Sequence, residues 1–323
     1  MKHKKLLIAF LMTLAFLLLF SFLLYRLLAQ EQPARVYSIS VLVRGQSSDS
    51  WTNVRQGAEQ AASERNVDLS FITLSEENNL NEQIFLLNRE VEGGANAIVL
   101  SAASFEGLFE PLSRISNKLP IVCIESPADS STVVSCIAAD DYQMGQMLGQ
   151  RMISTHFVRQ LRVAVLDTSP NCENITQRRQ GLLDQFSEQE QFEFLQLWPL
   201  SNNREMAAKE LAENLSAQHI NVLVALEPYA LELAALAIQD TSEKIELYGI
   251  GNSGRIASFI EQDVITATII QNDFGIGYLG VKAAFDALEG DMASVPVTVE
   301  HRLITSSNMY DPENQRLLFP FIR

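Results

Sequence analysis

A regular alternation of short β-branched runs with amphipathic helical runs is the feature of this sequence that most constrains its fold. The alternation begins at Val36 and continues to about residue 305. Tyr37–Val43 has the composition of a strand, and Ser50–Asn66 has the periodicity of a helix with alanines on its packing side. Repeated strand–helix units predict a parallel sheet with helices on both faces.

Two successive series of these units predict two lobes, because a single sheet of this length would be oversized. The first series contains predicted strands at residues 37–43, 69–74, 97–100, 121–124 and 133–138. The second contains predicted strands at 161–166, 192–197, 222–226, 245–250 and 264–270, followed by a final strand at 297–305. The predicted fold class is α/β, with two doubly wound, Rossmann-like lobes that meet near Ala139-Asp140.

The stretch Val264–Leu288 is predicted to return the chain from the second lobe to the first. It reads as a buried strand, a polar break and a long amphipathic helix. Three residues of the helix lack a Cβ atom, so the helix can lie close against a sheet: Gly275, Gly277 and Gly280. We therefore expect Gln271, in the polar break, at a hinge that faces the cleft.

The run Leu6–Tyr25 contains no charged residue and follows a basic start at residues 2–5. About 20 apolar residues suffice to cross a bilayer as a helix, and the run exceeds the usual core of a signal peptide. The basic start and Glu31 after the run place the N-terminus in the cytoplasm. Residues 1–33 are therefore predicted to be a signal anchor with a tether in the cell membrane, and a cleaved signal peptide is the alternative.

Charge and residue counts exclude several kinds of partner. The net charge of -15 argues against nucleic acid and against an anionic membrane surface. The 3 cysteines and 4 histidines form no CxxC, no HExxH and no cluster at zinc-ligand spacing. We therefore predict no metal and no cofactor. Cys123 and Cys136 fall on predicted strands as buried thiols, and a disulfide between them is left open.

Two glycine-rich segments, Gly249–Gly254 and Gly275–Gly280, match the GxGxxG pattern of dinucleotide-binding folds. Neither segment is the first strand–helix turn of a lobe, and the second lies inside a helix. Close backbone packing explains both better than nucleotide binding does. No GxSxG nucleophile and no GK[ST] phosphate loop is present either. An enzyme on a nucleotide-type α/β fold is therefore only a lower alternative.

Polar and aromatic residues follow the predicted strands at their carboxyl ends, where open α/β sheets bind ligands. Trp51, Phe105 and Tyr229 are aromatic residues on such loops. Flat apolar rings suit the CH faces of a sugar, and nearby amides and carboxylates suit its hydroxyl groups. The alternative for each ring is ordinary packing within its lobe.

Five segments resemble the ribose-type periplasmic sugar-binding proteins of type I, over about residues 36–305. They are SSDSWTNVRQGAEQAA (47–62), EQIFLLNREVEGGANAIVLS (82–101), PIVCIESPAD (120–129), IAADDYQMGQMLG (137–149) and ATIIQNDFGIGYLGVKAA (267–284). The resemblance implies two lobes that close on a monosaccharide, with crossovers near Ala139, near Gln271 and after Gly290. The implied lobes are 34–139 plus 272–290, and 140–271 plus 291–323.

The resemblance also implies roles for individual residues. Trp51 matches the ring-stacking aromatic of the family, Ser48 the nearby polar position, and Gln271 the hinge residue that often touches ligand. Arg178 matches an arginine that precedes a helical glycine, here Gly181. Five positions depart from the family pattern: Arg44, Ser104, Thr176, Glu227 and Asn252.

Arg44 is the departure with the clearest physical consequence, because a buried arginine needs a partner. Glu125, Glu227 or an anionic ligand could supply that partner. The candidate ligand-binding set is Arg44, Ser48, Trp51, Ser104, Phe105, Thr176, Arg178, Glu227, Tyr229, Asn252 and Gln271.

The predicted function is that of an extracytoplasmic solute-binding protein that closes on a small polar ligand, with a neutral sugar preferred. The ligand serves either uptake by an ABC permease or sensing through a membrane kinase. A sugar acid or phosphorylated signal, bound by a receptor subunit alone, is the alternative.

Overall fold

The computed structural model of this chain describes residues 2–28, 36–46, 49–115, 117–129, 131, 133–155, 161–187, 192–201, 203–239, 241, 244–291 and 296–319. The chain divides into two compact units, Met1–Val36 and Tyr37–Arg323. Helix α1, Lys2–Leu28, belongs to the first unit. Within the ranges given above, no helix has the length and apolar character required to span a membrane. The predicted anchor is therefore not confirmed.

Two sheets, each with helices packed against it, form the second unit. The first sheet has the strand order β11-β5-β4-β3-β1-β2, and every pair in it is parallel. Its strands are β1 (Ser38–Gln46), β2 (Asp68–Leu74), β3 (Ala97–Leu100), β4 (Ile121–Ile124), β5 (Val133–Ala138) and β11 (Val297–Thr298). Its helices are α2 (Thr52–Arg65), α3 (Leu80–Glu92), α4 (Phe109–Ile115) and α10 (Asp273–Leu288). All side chains of β3 and β4 are buried, as expected for short apolar strands covered on both faces.

The second sheet has the order β12-β10-β9-β8-β6-β7, in which only β12 is antiparallel to its neighbour. Its strands are β6 (Leu161–Asp167), β7 (Phe192–Pro199), β8 (Val222–Ala225), β9 (Glu246–Ile250), β10 (Ala267–Gln271) and β12 (His301–Ile304). The helices of this part are α5 (Asp141–Thr155), α6 (Glu173–Phe186), α7 (Arg204–Ala217), α8 (Pro228–Gln239), α9 (Gly254–Glu261) and α11 (Pro312–Leu318). We call the parts built on the first and second sheets the first and second lobe.

The chain crosses between the lobes after β5, between β10 and α10, and between β11 and β12. The last crossover differs from the sequence prediction, which gave one strand over 297–305 and placed residues 291–323 in the second lobe. The structure divides that run, because Val299 donates its amide to Ala138 O in the first lobe, at 2.9 Å. The carbonyl of Glu300, the next residue, accepts from the amide of Asn272 beside the second sheet, also at 2.9 Å. β11 therefore lies in the first sheet.

Helix α10 covers the first sheet and packs tightly against α2. A Cβ atom on Gly277 would come closer than 3.0 Å to Val54 O, and one on Gly57 would come equally close to Phe274 O. Only glycine lets the two backbones approach in this way. The sequence predicted that Gly277 would lie against the sheet, whereas it faces α2. Gly280 is the glycine that contacts the sheet, beside Ile124.

The two strand cysteines are neighbours in the first sheet. Cys123 on β4 is in register with Cys136 on β5, and both are free thiols. Burial raises the pKa of Cys123 to about 11 and that of Cys136 to about 12. Both thiols are therefore protonated at neutral pH, and thiolate chemistry at this pair is disfavoured.

Candidate ligand site between the lobes

A cavity of about 60 Å³ lies between the two lobes. At roughly 10–15 Å³ per water, this space accommodates a few waters or part of a small solute. The cavity brings together these residues of the predicted set: Arg44, Trp51, Arg178, Glu227, Tyr229, Asn252 and Gln271. They come from both lobes and from the crossover after β10, so the cleft is the candidate ligand site.

The remaining predicted residues do not line this cavity. Ser104 is buried and accepts the Gly107 amide at 3.1 Å, which stabilises a turn. Phe105 approaches the second lobe through its backbone, whose amide donates to Asn171 O at 2.9 Å. The Thr176 hydroxyl donates to Pro170 O at 3.4 Å. Ser48 lies outside the described residues.

Arg44, near the carboxyl end of β1, is only 2% exposed and makes a network of ion pairs. Its Nε and Nη2 atoms donate to the two carboxylate oxygens of Glu125, each at 2.9 Å. Its Nη1 donates to Glu227 Oε2 and to Asn78 Oδ1, each at 2.8 Å. Burial disfavours the charge of Arg44, but the two carboxylates hold its pKa well above the usual value.

Both carboxylates also accept hydrogen bonds from other side chains. Glu227 accepts from the hydroxyls of Thr168 and Ser169, the latter at 2.6 Å. Glu125 accepts from Ser101 Oγ at 2.8 Å and from Asn174 Nδ2 at 2.6 Å. Burial alone would raise the pKa of Glu125, but the adjacent Arg44 keeps it below the ordinary value. The single positive charge of Arg44 faces two carboxylates, so the network has no unpaired cation to offer an anionic ligand.

Several of these bonds cross from one lobe to the other. Arg44 and Glu125 belong to the first lobe, whereas Glu227 and Asn174 belong to the second. The Arg44–Glu227 ion pair and the Asn174–Glu125 hydrogen bond therefore join the lobes across the cleft. Asn78 adds a further bond, since its Nδ2 donates to Ser169 Oγ at 2.5 Å.

Arg178 on α6 also lines the cavity and is likewise 2% exposed. Its Nε donates to Asp141 Oδ1 at 2.8 Å, and its Nη1 to Leu226 O at 2.9 Å. Burial raises the pKa of Asp141 to about 7, although Arg178 opposes the rise. The neighbouring Asp140 has a different role, because its Oδ1 accepts the Gln143 amide at 2.9 Å and caps α5.

Trp51 ends a short 3₁₀ helix, Asp49–Trp51, and lines the cavity with its half-buried ring. A Cβ atom on Gly45 would come closer than 3.0 Å to Trp51 Nε1 and would lie 2.8 Å from Glu77 Oε2. The indole and the Glu77 carboxylate are therefore neighbours over the Gly45 backbone. On the opposite lobe, the buried Tyr229 donates its hydroxyl to Ser201 O at 3.3 Å.

Sequence reasoning missed several cavity residues, of which Glu77 is the most informative. Glu77 follows β2, so the rule that ligands bind at the carboxyl ends of parallel strands would have found it. Asp273 also lines the cavity and accepts from Gln271 Nε2 at 3.0 Å. Burial raises the pKa of each of these carboxyls to about 7.

Comparison with known proteins places this geometry in context. Residues 39–292 match the model of a periplasmic binding protein domain. The ribose import binding protein of Haemophilus influenzae is 22% identical over 271 residues, which cover 83% of this chain and 91% of that protein.

Solved structures share the fold. A carbohydrate transporter solute-binding protein of Agrobacterium radiobacter, in complex with D-arabinose, aligns with a TM-score of 0.82 and 23% identity over 88% of this chain and 99% of that one. A sugar transporter of Clostridium phytofermentans aligns with a TM-score of 0.75 and 25% identity over 84% and 99% of the two chains.

Proposed function

This chain is a member of the periplasmic binding protein family, and we propose that its cleft binds a small polyhydroxylated solute of the monosaccharide class. Its relatives are binding proteins, so the expectation that the chain is not an enzyme is confirmed. The binding domain is extracytoplasmic, as in those relatives. Trp51 offers a ring for the apolar face of a sugar, and the polar residues around it offer partners for hydroxyl groups.

The pairing of Arg44 is the observation on which this choice of ligand rests. Two carboxylates and an amide oxygen occupy the Arg44 guanidinium, so no strong cation is left for a carboxylate or phosphate of the ligand at that position. The excess of acid in the chain also repels anions at long range, since the net charge is -15. The anionic alternative is therefore disfavoured.

Delivery to an ABC permease is the proposed use of the bound ligand, because a relative in this family is named for ribose import. Sensing through a membrane kinase is the second candidate, and the uncharged run Leu6–Tyr25 favours it. An anchored receptor would transmit lobe closure to its partner across the membrane, whereas a transport feeder must present ligand to a permease.

The test is calorimetric and thermal-shift titration of the full-length chain with aldoses, polyols and matching uronic acids. A ligand at 100 times its dissociation constant should stabilise the protein by about 2.7 kcal/mol. Trp51→Ala should abolish this gain while the free protein keeps nearly the same melting temperature, if the ring serves the cavity it lines more than the core it also contacts. Phe85→Ala, at a side chain 67% exposed on α3, is the matched control.

Two results would overturn the proposal. One is tighter binding of a uronic acid than of its aldose, with the preference lost in Arg44→Gln. The other is the absence of any response to the whole series. A fall in melting temperature of Trp51→Ala without ligand would instead show that this ring is part of the core.

A further inference from the structure

Two buried amide side chains of the cleft leave their oxygens without a partner among the described residues. Asn252 is 3% exposed and Gln271 9% exposed, and both line the cavity. Asn252 Nδ2 donates to Leu317 O at 3.1 Å, and Gln271 Nε2 donates to Asp273 Oδ1 at 3.0 Å. Turning the Asn252 amide over would bring its oxygen against a carbonyl, and turning Gln271 over would bring its oxygen against the ionised Asp273, so the unpartnered atoms are Asn252 Oδ1 and Gln271 Oε1. Among the described residues that line the cavity, the unpartnered buried polar atoms are therefore these two acceptors and one donor, Arg204 Nη2.

Glu77 adds an unpaired buried carboxylate to these acceptors. It is 6% exposed, and its Oε1 accepts the backbone amide of Gln46 at 3.0 Å. Within the described part of the chain, no lysine, arginine or histidine lies within ion-pair distance of it. Its other oxygen, Oε2, is the one beside Trp51 over Gly45. Glu77 therefore adjoins the ring proposed to stack on the ligand.

The arginines that line the cavity already have carboxylate partners. Arg44 binds Glu125 and Glu227, and Arg178 binds Asp141 at 2.8 Å. Arg204 lies 3.6 Å from Glu232, within ion-pair distance, but its buried Nη2 has no hydrogen-bond partner among the described residues. A ligand entering this cleft meets three arginines that each face a carboxylate, one of them with a nitrogen free to donate, two unpartnered acceptor oxygens and one carboxylate that lacks a counter-ion.

We propose that the ligand carries a protonated amine, with Glu77 as its counter-ion and Asn252 and Gln271 as acceptors for its hydroxyl groups. An amino sugar or amino polyol has this combination of groups. The inference rests on the proposed function, since it names the class of solute that the same cleft selects. The ammonium donates hydrogen bonds to a buried carboxylate, and charge-assisted bonds of this kind are the strong ones. We expect the amine to improve affinity by about tenfold to a hundredfold over the matching hydroxyl.

The experiment is calorimetric titration of the full-length chain with three forms of each sugar. These are D-glucose, D-glucosamine and N-acetyl-D-glucosamine, and the corresponding galactose series. N-acetylation removes the charge of the amine while keeping the nitrogen. At a pH that keeps the free amine protonated, at least one amino sugar should bind tenfold or more tightly than both its neutral forms. The preference should weaken with salt less steeply than an exposed ion pair would.

Glu77→Gln tests the residue, and Glu76→Gln is the matched control because Glu76 is the adjacent, exposed carboxylate. Glu77→Gln should erase the difference in affinity between the amino sugar and its parent, whereas Glu76→Gln should preserve it. A glutamine at position 77 can still accept the Gln46 amide, so the melting temperature of Glu77→Gln without ligand should be no lower than that of the parent protein. Measuring it for both variants separates lost recognition from misfolding.

The outcomes separate this inference from the proposed function. Equal or tighter binding of the neutral sugars would overturn the inference and leave the proposed function standing. An amine preference that survives Glu77→Gln would overturn the assignment of the counter-ion. If neither neutral nor amino sugars bind, the proposed function fails, and the inference fails with it.

Discussion

Replacing Arg44 with methionine should sharply destabilise the protein. The guanidinium is 2% exposed and donates three hydrogen bonds to the carboxylates of Glu125 and Glu227. Methionine retains much of the apolar stem but leaves both carboxylates buried without their counter-ion. Breaking a buried ion pair in this way costs about 3–5 kcal/mol, because the remaining charge is uncompensated.

The expected loss lies near the lower end of that range, about 3 kcal/mol. Ser101 and Asn174 still donate to Glu125, and Thr168 and Ser169 still donate to Glu227. These hydrogen bonds still stabilise the negative charge of each carboxylate in part. Urea denaturation of the full-length chain measures the loss. In thermal unfolding, the midpoint should fall by about 6 °C, at roughly 2 °C per kcal/mol, because the shift per kcal/mol decreases with chain length and this chain has 323 residues.

The loss should be smaller at pH 5 than at pH 8. Without Arg44, the main cause that lowers the pKa of Glu125 is gone, burial then raises that pKa, and protonation at the lower pH relieves the buried charge. The triple variant Arg44→Met/Glu125→Gln/Glu227→Gln should recover most of the stability, since it removes the charges together. Arg114→Met is the control, because the ion pair of Arg114 with Glu110 is exposed. A loss below about 1 kcal/mol for Arg44→Met, or no recovery in the triple variant, would refute the reasoning.

Three further predictions concern packing, pH and the N-terminal run. Gly277→Ala should lower the free energy of unfolding, measured with urea, by about 1–3 kcal/mol, because the added methyl overpacks α10 against α2. Gly254→Ala is the control and should be nearly neutral, because a Cβ there meets nothing within 4 Å. Equal losses in the two variants would contradict the close contact. Glu77, Asp141 and Asp273 have pKa values raised from 4.5, 3.8 and 3.8 to about 7. The native state therefore binds protons that the unfolded chain has released, and the melting temperature should fall as pH rises from about 5 to 8; a rise would contradict this. Intact protein whose mass includes Met1 should sediment with membranes, and a soluble product beginning near Glu31 would instead support cleavage.

The periodicity of the sequence predicted the fold well, but it could not assign every strand to its sheet. Residues 297–305 alternate as one strand, yet the structure divides them between two sheets. Hydrophobic alternation reports that a segment is extended, and it carries no information about which sheet edge supplies the hydrogen bonds. Val299 and Glu300 bond to opposite lobes, and that choice depends on where the hinge residues Ala138 and Asn272 lie in space.

The site was predictable where a strong physical requirement applied. A buried arginine at position 44 needed a partner, and the sequence offered Glu125 and Glu227 as two choices. The structure uses both, because β1, β4 and β8 end at the same cleft. Ser104 and Thr176 were predicted because they follow strand ends and match ligand positions of the family, and neither lines the cavity. Their positions depend on loop geometry, which differs among distant relatives more than strand ends do.

Some polar residues of the cleft bond to the opposite lobe, whereas others have no bonding partner or counter-ion among the described residues. This difference decides which groups a ligand can use to favour the closed form. Arg44 with Glu227, and Asn174 with Glu125, bind one another across the lobes. Such bonds exist only while the lobes are together, so they stabilise closure whether or not ligand is present. A ligand shifts the equilibrium between open and closed forms only by its differential affinity for them. Its own contribution must therefore come from stacking on Trp51 and from groups that have no bonding partner or counter-ion among the described residues, namely the acceptor oxygens, Arg204 Nη2 and the Glu77 carboxylate, rather than from Arg44, which the lobes already share.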